Sequence, residues 1–178
     1  KTVIEVNCQT DQDTHSWIEF GADRGMLQAT PRNNDMATEH KALLLGMPAD
    51  TEVFYRVVTE TTDGTLTTSE ESSLTTGSLP PAFPQMRLTE GSEPLGAYIA
   101  TTVTGASWGP VIYDENGRAV WYAIEDRGFN VYRSRMSRDG TAILYNAVGV
   151  GNINLIKGSE IVRVGLDGTR EAAYNLPF

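Results

Sequence analysis

Short runs of alternating apolar and polar residues, separated by turn signals, dominate this chain. In VFYRVV (53–58), odd- and even-numbered side chains point to opposite sides of an extended strand. Helical periodicity is nearly absent. Residues 36–47 contain helix formers, but the segment is short, ends in Gly46 and precedes Pro48, so we interpret it as a strand. The pattern predicts an all-β fold.

The N-terminal part, residues 1–77, contains turn signals such as Asp63-Gly64 between its apolar runs. Strands at this close spacing favour a β-sandwich. Asp11 and Asp13 fall between two runs, and we interpret them as a solvated turn, because the glycine and final glutamate of a calcium loop are missing. The predicted strands are 2–7, 15–21, 26–30, 38–45, 52–61, 65–68 and 71–76.

Residues 78–95 (SLPPAFPQMRLTEGSEPL) form the next segment, which is rich in proline. Proline favours extended backbone without ladder hydrogen bonds. We therefore predict a stiff linker between two domains.

A hairpin signal recurs three times in residues 96–178: Asn116-Gly117, Asp139-Gly140 and Asp167-Gly168, each between apolar runs. Such repeats predict the first two blades of a β-propeller, and a propeller needs about four to eight blades to close. We therefore expect a second polypeptide, a cleaved remainder of a precursor or a separate subunit, to supply the other blades. The predicted strands are 97–103, 109–114, 118–124, 130–136, 141–147, 159–165 and 170–176.

The composition of the chain argues against several kinds of binding partner and several kinds of active site. The net charge of −9 argues against nucleic acid and anionic membranes as partners. No apolar run reaches the roughly 18 residues of a membrane span. Cys8 is the only cysteine, which we interpret as a small buried hydrophobe, with an intermolecular bond or a reactive thiol as alternatives. No motif indicates a metal site, a serine hydrolase or a cofactor.

Parts of the sequence resemble two known families. Residues 1–77 resemble a fibronectin type III-like domain through WIEFG (17–21), LLLGMPADTEVFYRVVTE (43–60) and LTTGSLP (74–80). The chain as a whole resembles the N-terminal portion of the arylsulfotransferase family, whose members join a β-sandwich to a six-bladed propeller. The residues that carry this resemblance are WGPVIYDENGRAVWY (108–122), RMSRDGTAILYNAV (135–148) and SEIVRVGLDGT (159–169).

The family resemblance implies an enzyme that transfers a sulfuryl group between small aromatic or phenolic compounds through a channel histidine. It also implies a periplasmic or secreted bacterial protein. The only histidines here, His15 and His40, lie in the predicted sandwich, so no catalytic residue is assigned to this chain. A hydrolase of the same fold and a non-catalytic extracellular binding module are the alternatives.

Substrate contacts are predicted on one face of the propeller, from the segments 104–109, 125–130 and 147–158 and from the start of the second blade. Arg133 could pair an anionic aromatic substrate, or it could bond backbone carbonyls at a strand end. Trp108 could stack on substrate or pack on a neighbouring blade. Asn152 and Asn154 are interpreted as loop residues with a possible site role. The predicted substrate-binding set is Tyr132, Arg133, Trp108 and Asn130.

Overall fold

The chain divides into two compact units, unit 1 (Lys1–Leu79) and unit 2 (Pro80–Phe178). The computed structural model describes residues 1–87, 89, 93, 96, 98–104, 108–150 and 156–176. Within these residues the fold is all-β and contains no helix, as the alternating pattern predicts. The strands are β1 (Ile4–Gly21), β2 (Gln28–Ala29), β3 (Ala37–Leu44), β4 (Glu52–Glu60), β5 (Leu66–Thr68), β6 (Ser72–Thr75), β7 (Ile99–Thr102), β8 (Pro110–Tyr113), β9 (Ala119–Tyr122), β10 (Phe129–Met136), β11 (Ala142–Val150), β12 (Ile156–Gly165) and β13 (Arg170–Leu176).

Unit 1 is organised around the long strand β1, which has different partners along its length. Its first half pairs with β3, and its second half pairs with β4 and β2. The register with β3 shifts between Gln9 and Thr14. The prediction of a solvated turn at Asp11 and Asp13 is therefore wrong, because the backbone continues as strand. Within the irregular stretch the Thr10 hydroxyl donates a 2.8 Å hydrogen bond to the Gln12 carbonyl.

The core of unit 1 follows from strand alternation. Ile18 and Phe20 of β1 are buried together with Leu44 of β3 and Val53 of β4. Residues 36–47 were the one ambiguous segment, and their interpretation as a strand is confirmed by β3. The six strands form one sheet, which curls as a half-barrel.

Unit 2 contains two antiparallel sheets whose strands pair in chain order. One is β7–β8–β9 and the other is β10–β11–β12–β13. The seven strands predicted over residues 97–176 are confirmed in number and approximate position. Each strong hairpin signal lies at a turn, where Gly117, Gly140 and Gly168 adopt φ values of 78°, 71° and 84°. These left-handed conformations explain why glycine occupies the turns.

The three-stranded sheet turns one face toward the four-stranded sheet. Ile112 of β8 and Trp121 of β9 are direct cross-strand partners and share this face. Trp121 is buried, and its Nε1 donates a 2.8 Å hydrogen bond to the carbonyl of Leu166 in the β12–β13 turn. Ser134 of β10 donates a 2.8 Å bond to the Thr101 carbonyl of β7. These contacts stack the two sheets.

The opposite face of the three-stranded sheet is covered by residues 80–87, which we call the strap. Phe83 of the strap is buried, with its ring centroid 5.1 Å from that of Tyr122. The Tyr113 hydroxyl donates a 3.0 Å bond to the carbonyl of Pro84. This segment belongs to the predicted linker, but it packs on unit 2 because Phe83 gains burial there.

Gly117→Ala and Gly140→Ala form a matched pair that tests the docking of the strap. At Gly140 a new Cβ would have no atom within 4 Å. The only cost of the substitution is therefore that of placing alanine in a left-handed backbone conformation, about 1–2 kcal/mol. At Gly117 the Cβ would lie 2.8 Å from the Met86 carbonyl oxygen of the strap. We expect Gly117→Ala to lower the free energy of unfolding by at least about 1 kcal/mol more than Gly140→Ala, measured by urea unfolding followed with circular dichroism. Equal losses would mean that the strap is not held against this turn.

Candidate functional site

A β-bulge in the edge strand β10 organises the candidate site. Val131 pairs with Ala147 and Arg133 pairs with Asn146, which leaves Tyr132 as the extra residue. The Tyr132 side chain is 57% exposed. A bulge at this point changes which side chains share a face of the sheet.

The bulge brings Asn130 and Arg133 onto the same face. In a regular strand, residues three apart point to opposite sides. Here Asn130 pairs with Val148 and Arg133 pairs with Asn146. Val148 and Asn146 are two residues apart on the regular strand β11, so they share a face, and their cross-strand partners share it too.

Three of the four predicted substrate-binding residues therefore lie together on β10. Asn130 is half-buried, and Tyr132 and Arg133 are exposed. Within the described part of the chain, Arg133 makes no hydrogen bond or ion pair, so a strand-end role bonded to carbonyls is not seen. Trp108 lies apart from this set, because its ring packs edge-on against Phe83 of the strap at 5.4 Å.

Asn146 of β11 joins the candidate site, although the sequence pattern does not predict it. It lies directly opposite Arg133, and its Nδ2 donates a 3.1 Å hydrogen bond to the Ser159 hydroxyl of β12. The available signal was a polar residue interrupting the apolar run AILYNAV (142–148). Guanidinium and amide groups on one face can donate several hydrogen bonds to a single anion.

A buried carboxylate fixes the chain just before β10. The Glu125 side chain is 1% exposed. Its Oε1 accepts hydrogen bonds from the backbone N–H of Arg127, at 3.1 Å, and from Nε of Arg127, at 2.8 Å. Its Oε2 accepts from Nη2 of Arg127 at 2.5 Å and from the Tyr145 hydroxyl at 3.1 Å. The carboxylate therefore ties the β9–β10 loop to strand β11.

The network extends through Arg127 to β12 and β13. Nη1 of Arg127 and Nη2 of Arg170 both donate to Oε2 of Glu160, at 2.8 Å and 2.9 Å. The guanidinium of Arg127 also lies 4.7 Å from the ring centroid of Phe129, the first residue of β10. The start of β10, and with it the bulge three residues further on, is thus held by charged groups on the β9–β10 loop, β12 and β13 and by the neutral Tyr145 of β11.

The environment of the network sets its protonation states. Burial alone would raise the pKa of Glu125, but the hydrogen bonds and charge of Arg127 outweigh it, and the pKa is lowered. The same contacts with Glu125 raise the pKa of Arg127. Burial, followed by the charge of Glu125, raises the pKa of Tyr145 to about 12. At neutral pH the pair is ionised and Tyr145 keeps its proton.

The histidines of unit 1 lie within hydrogen-bond distance of other residues, and the cysteine is a free, half-buried thiol. His40 is buried, and its Nε2 lies 3.1 Å from the Thr14 hydroxyl. Nδ1 of His15 lies 3.0 Å from the carbonyl oxygen of Asn33. Cys8 is half-buried, and burial raises the pKa of its thiol, which disfavours the reactive thiolate.

Several predicted features fall outside the described residues. These are Asn152 and Asn154 and parts of the segments 104–109 and 147–158. Of the segment 125–130, the last two residues belong to β10.

Within the same described ranges, no group of three or more His, Cys, Asp and Glu side chains is placed to hold a metal ion. None of these residues forms a helix with the length and apolar character needed to cross a membrane.

Comparison of the chain with family models, curated proteins and solved structures finds no match. The resemblance to arylsulfotransferases therefore stays a prediction.

Replacing the buried carboxylate tests the network. Glu125→Gln removes the charge that Arg127 pairs with inside the protein, and we expect it to lower the free energy of unfolding at pH 7 by about 2–3 kcal/mol. The matched control is Glu171→Gln, which removes the exposed partner of Arg163 and should cost under about 1 kcal/mol. Urea unfolding of both variants measures the difference. Similar losses would show that the Glu125 pair contributes no more than a surface pair.

The lowered pKa of Glu125 also predicts a pH dependence. Its ionised form is favoured in the folded protein, so the stabilisation is present above the ordinary carboxyl pKa of 4.5 and is lost as the pH falls through the lower folded value. We expect the free energy of unfolding to fall more steeply below pH 4.5 in the wild type than in Glu125→Gln. Denaturation between pH 7 and pH 3 checks this, and parallel curves would contradict it.

Proposed function

We propose that this chain is the N-terminal part of an arylsulfotransferase-like enzyme that transfers a sulfuryl group between small aromatic or phenolic compounds. The observation that carries the proposal is the convergence of Asn130, Arg133 and Asn146 on one face of the β10–β11 pair, beside the exposed ring of Tyr132. This set has the chemistry to bind an aromatic sulfate ester.

Each residue has a distinct part in binding. The planar guanidinium of Arg133 can pair two sulfate oxygens at once, and it has no acidic partner in the described part of the chain. The amides of Asn130 and Asn146 can donate further hydrogen bonds without adding charge. The Tyr132 ring can stack on the aromatic part of donor or acceptor. Together they orient an anionic aromatic compound against the edge strand.

The connectivity of unit 2 supports a propeller. Both sheets are antiparallel meanders in chain order, which is how the strands of a propeller blade are joined. Two such sheets fall short of the four to eight blades of a ring, so we propose that another polypeptide supplies the rest. No cofactor is invoked, and the proposed location is periplasmic or secreted.

The nucleophile is proposed to be a histidine of that other polypeptide, since His15 and His40 both lie in unit 1 and are engaged there. A neutral imidazole is a good nucleophile at neutral pH, and cationic donors stabilise the oxygens of the transferring group. In this scheme unit 2 binds and orients the substrate, and the network around Glu125 positions the strand that does so.

Sulfuryl transfer by the complete protein tests the function. With p-nitrophenyl sulfate as donor and phenol as acceptor, we expect p-nitrophenol release that depends on phenol. Arg133→Ala should lower kcat/KM for the donor by about 10- to 100-fold, because a charge-assisted hydrogen-bonding pair is lost. Arg138→Ala is the control, because Arg138 is also exposed but lies in the β10–β11 turn.

The outcomes separate the candidate functions. Release without phenol indicates a hydrolase of the same fold. No release from several aryl sulfates, with or without phenol, contradicts the enzyme proposal and favours a binding module. Equal activity of the Arg133→Ala and Arg138→Ala variants removes Arg133 from the site.

A further inference from the structure

Two arginines of the edge strand β10, Arg133 and Arg135, share one face of the four-stranded sheet. Arg133 pairs with Asn146 of β11, and Arg135 pairs with Leu144. Asn146 and Leu144 are two residues apart on a regular strand, so their cross-strand partners lie on the same face. Both arginines are exposed. The residue proposed to bind one anion therefore has a second cation beside it on the same face.

The carboxylates of this sheet leave both arginines without a partner. The acidic residues of its four strands are Glu160 and Glu171. Glu160 accepts hydrogen bonds from two other arginines, and Glu171 pairs with Arg163. No ion pair or hydrogen bond joins the guanidinium group of Arg133 or Arg135 to another described residue. Both cations are therefore available to a ligand.

The electrostatics of the pair favour a ligand with two anionic groups. Two like charges on neighbouring positions of one face repel each other, and no described carboxylate offsets the repulsion. The chain has 23 acidic residues and a net charge of −9, so the lack of a carboxylate here does not reflect a shortage of them. A dianion can pair with both guanidinium groups at once, whereas a monoanion can neutralise one.

The surface around the two guanidinium groups suits an aromatic ring between the anions. Leu144, opposite Arg135, is half-buried and offers apolar surface. The exposed ring of Tyr132 directly precedes Arg133. Two residues of a strand extend about 7 Å, a distance that a benzene ring with para substituents can span. Both anionic groups can therefore belong to one rigid aromatic molecule.

We propose that Arg135 selects aromatic sulfate esters that carry a second anionic group para to the sulfate. Arg133, Asn130 and Asn146 bind the sulfate, and Arg135 binds the second group. This inference rests on the proposed function for the reaction and adds a class of substrate to it, because dianionic aryl sulfates are favoured over monoanionic ones. Arg135 determines specificity and contacts no reacting atom.

A matched pair of donors tests the selection. p-Sulfooxybenzoate carries the second charge, and its methyl ester has nearly the same shape without that charge. With phenol as acceptor, each donor yields phenyl sulfate and releases p-hydroxybenzoate or its methyl ester, which chromatography measures. In the complete protein we expect Arg135→Ala to lower kcat/KM for the carboxylate donor by about 5- to 10-fold, and for the ester by less than about twofold, because only the carboxylate donor loses a charge-assisted contact.

Two controls separate the position of the charge from its presence. o-Sulfooxybenzoate carries its carboxylate next to the sulfate, too close to reach Arg135 while Arg133 holds the sulfate. Its kcat/KM should change by less than about twofold in Arg135→Ala. Arg138→Ala, in the β10–β11 turn, should leave all three donors unchanged, and Arg135→Lys should retain most of the preference because it keeps the charge. Circular dichroism of each variant confirms that the sheet is formed.

Equilibrium binding provides a measurement that does not depend on transfer. Terephthalate carries two para carboxylates and no group to transfer, and calorimetry measures its binding to the complete protein. We expect Arg133→Ala and Arg135→Ala each to weaken this binding by about fivefold or more, and Arg138→Ala to leave it unchanged. The monomethyl ester of terephthalate should bind the wild type about fivefold more weakly than terephthalate, because it pairs with one guanidinium group.

The two measurements distinguish this inference from the proposed function. Terephthalate binding that depends on both arginines, in a protein that transfers no sulfuryl group, would support the paired-arginine site and reject the function. Phenol-dependent transfer in which Arg135→Ala affects the acid and ester donors equally would support the function and reject the selection by Arg135. Equal losses for the para and ortho acids, or terephthalate binding that Arg135→Ala leaves unchanged, would also overturn the selection.

Discussion

The stacking of unit 2 follows from one constraint: an antiparallel sheet with an apolar face must bury that face against another layer. The three-stranded sheet has apolar residues on both faces and is covered on both, by the strap through Phe83 and by the four-stranded sheet through Trp121. Burying an aromatic side chain stabilises by a few kcal/mol, which is a large fraction of a domain's net stability. The strap therefore packs as part of the unit.

The candidate site is a consequence of one irregularity in this otherwise regular stack. A single extra residue, Tyr132, rotates Arg133 onto the face that carries Asn130. An ion pair between Glu125 and Arg127 holds the preceding loop in place. Removing the two charges of a buried ion pair from water costs free energy. The pair therefore contributes little net stability, and its main effect is to fix the position of the loop. Rigid support just before the bulge keeps the exposed Arg133 in a fixed position on the edge strand.

The local sequence pattern was sufficient to predict most of the strands and turns of this fold. Alternation located β4 and the strands of unit 2, and the Asn-Gly and Asp-Gly pairs located their turns, because strand period and left-handed turn conformations depend on neighbouring residues alone. The segment 36–47 was resolved correctly by its glycine and proline. Asp11 and Asp13 were misassigned, because a polar pair in a strand looks like a turn until its partner strand is known. Tyr132, Arg133 and Asn130 stay a predicted substrate-binding set, whereas neither Asn146 nor the pairing of Glu125 with Arg127 within the segment 125–130 was predicted.

The amino-acid sequence by itself determined that the chain is all-β, where its hairpins turn and which side chains alternate along each strand. These properties follow from short-range sterics and periodicity. Only the tertiary structure decided that β1 continues through Asp11 and Asp13, that the proline-rich strap covers a sheet, and that the bulge aligns Arg133 with Asn130 and Asn146. Each of these depends on strand register or on contacts between distant segments. A shift of one residue in register moves every side chain to the other face of the sheet, and no local pattern specifies it.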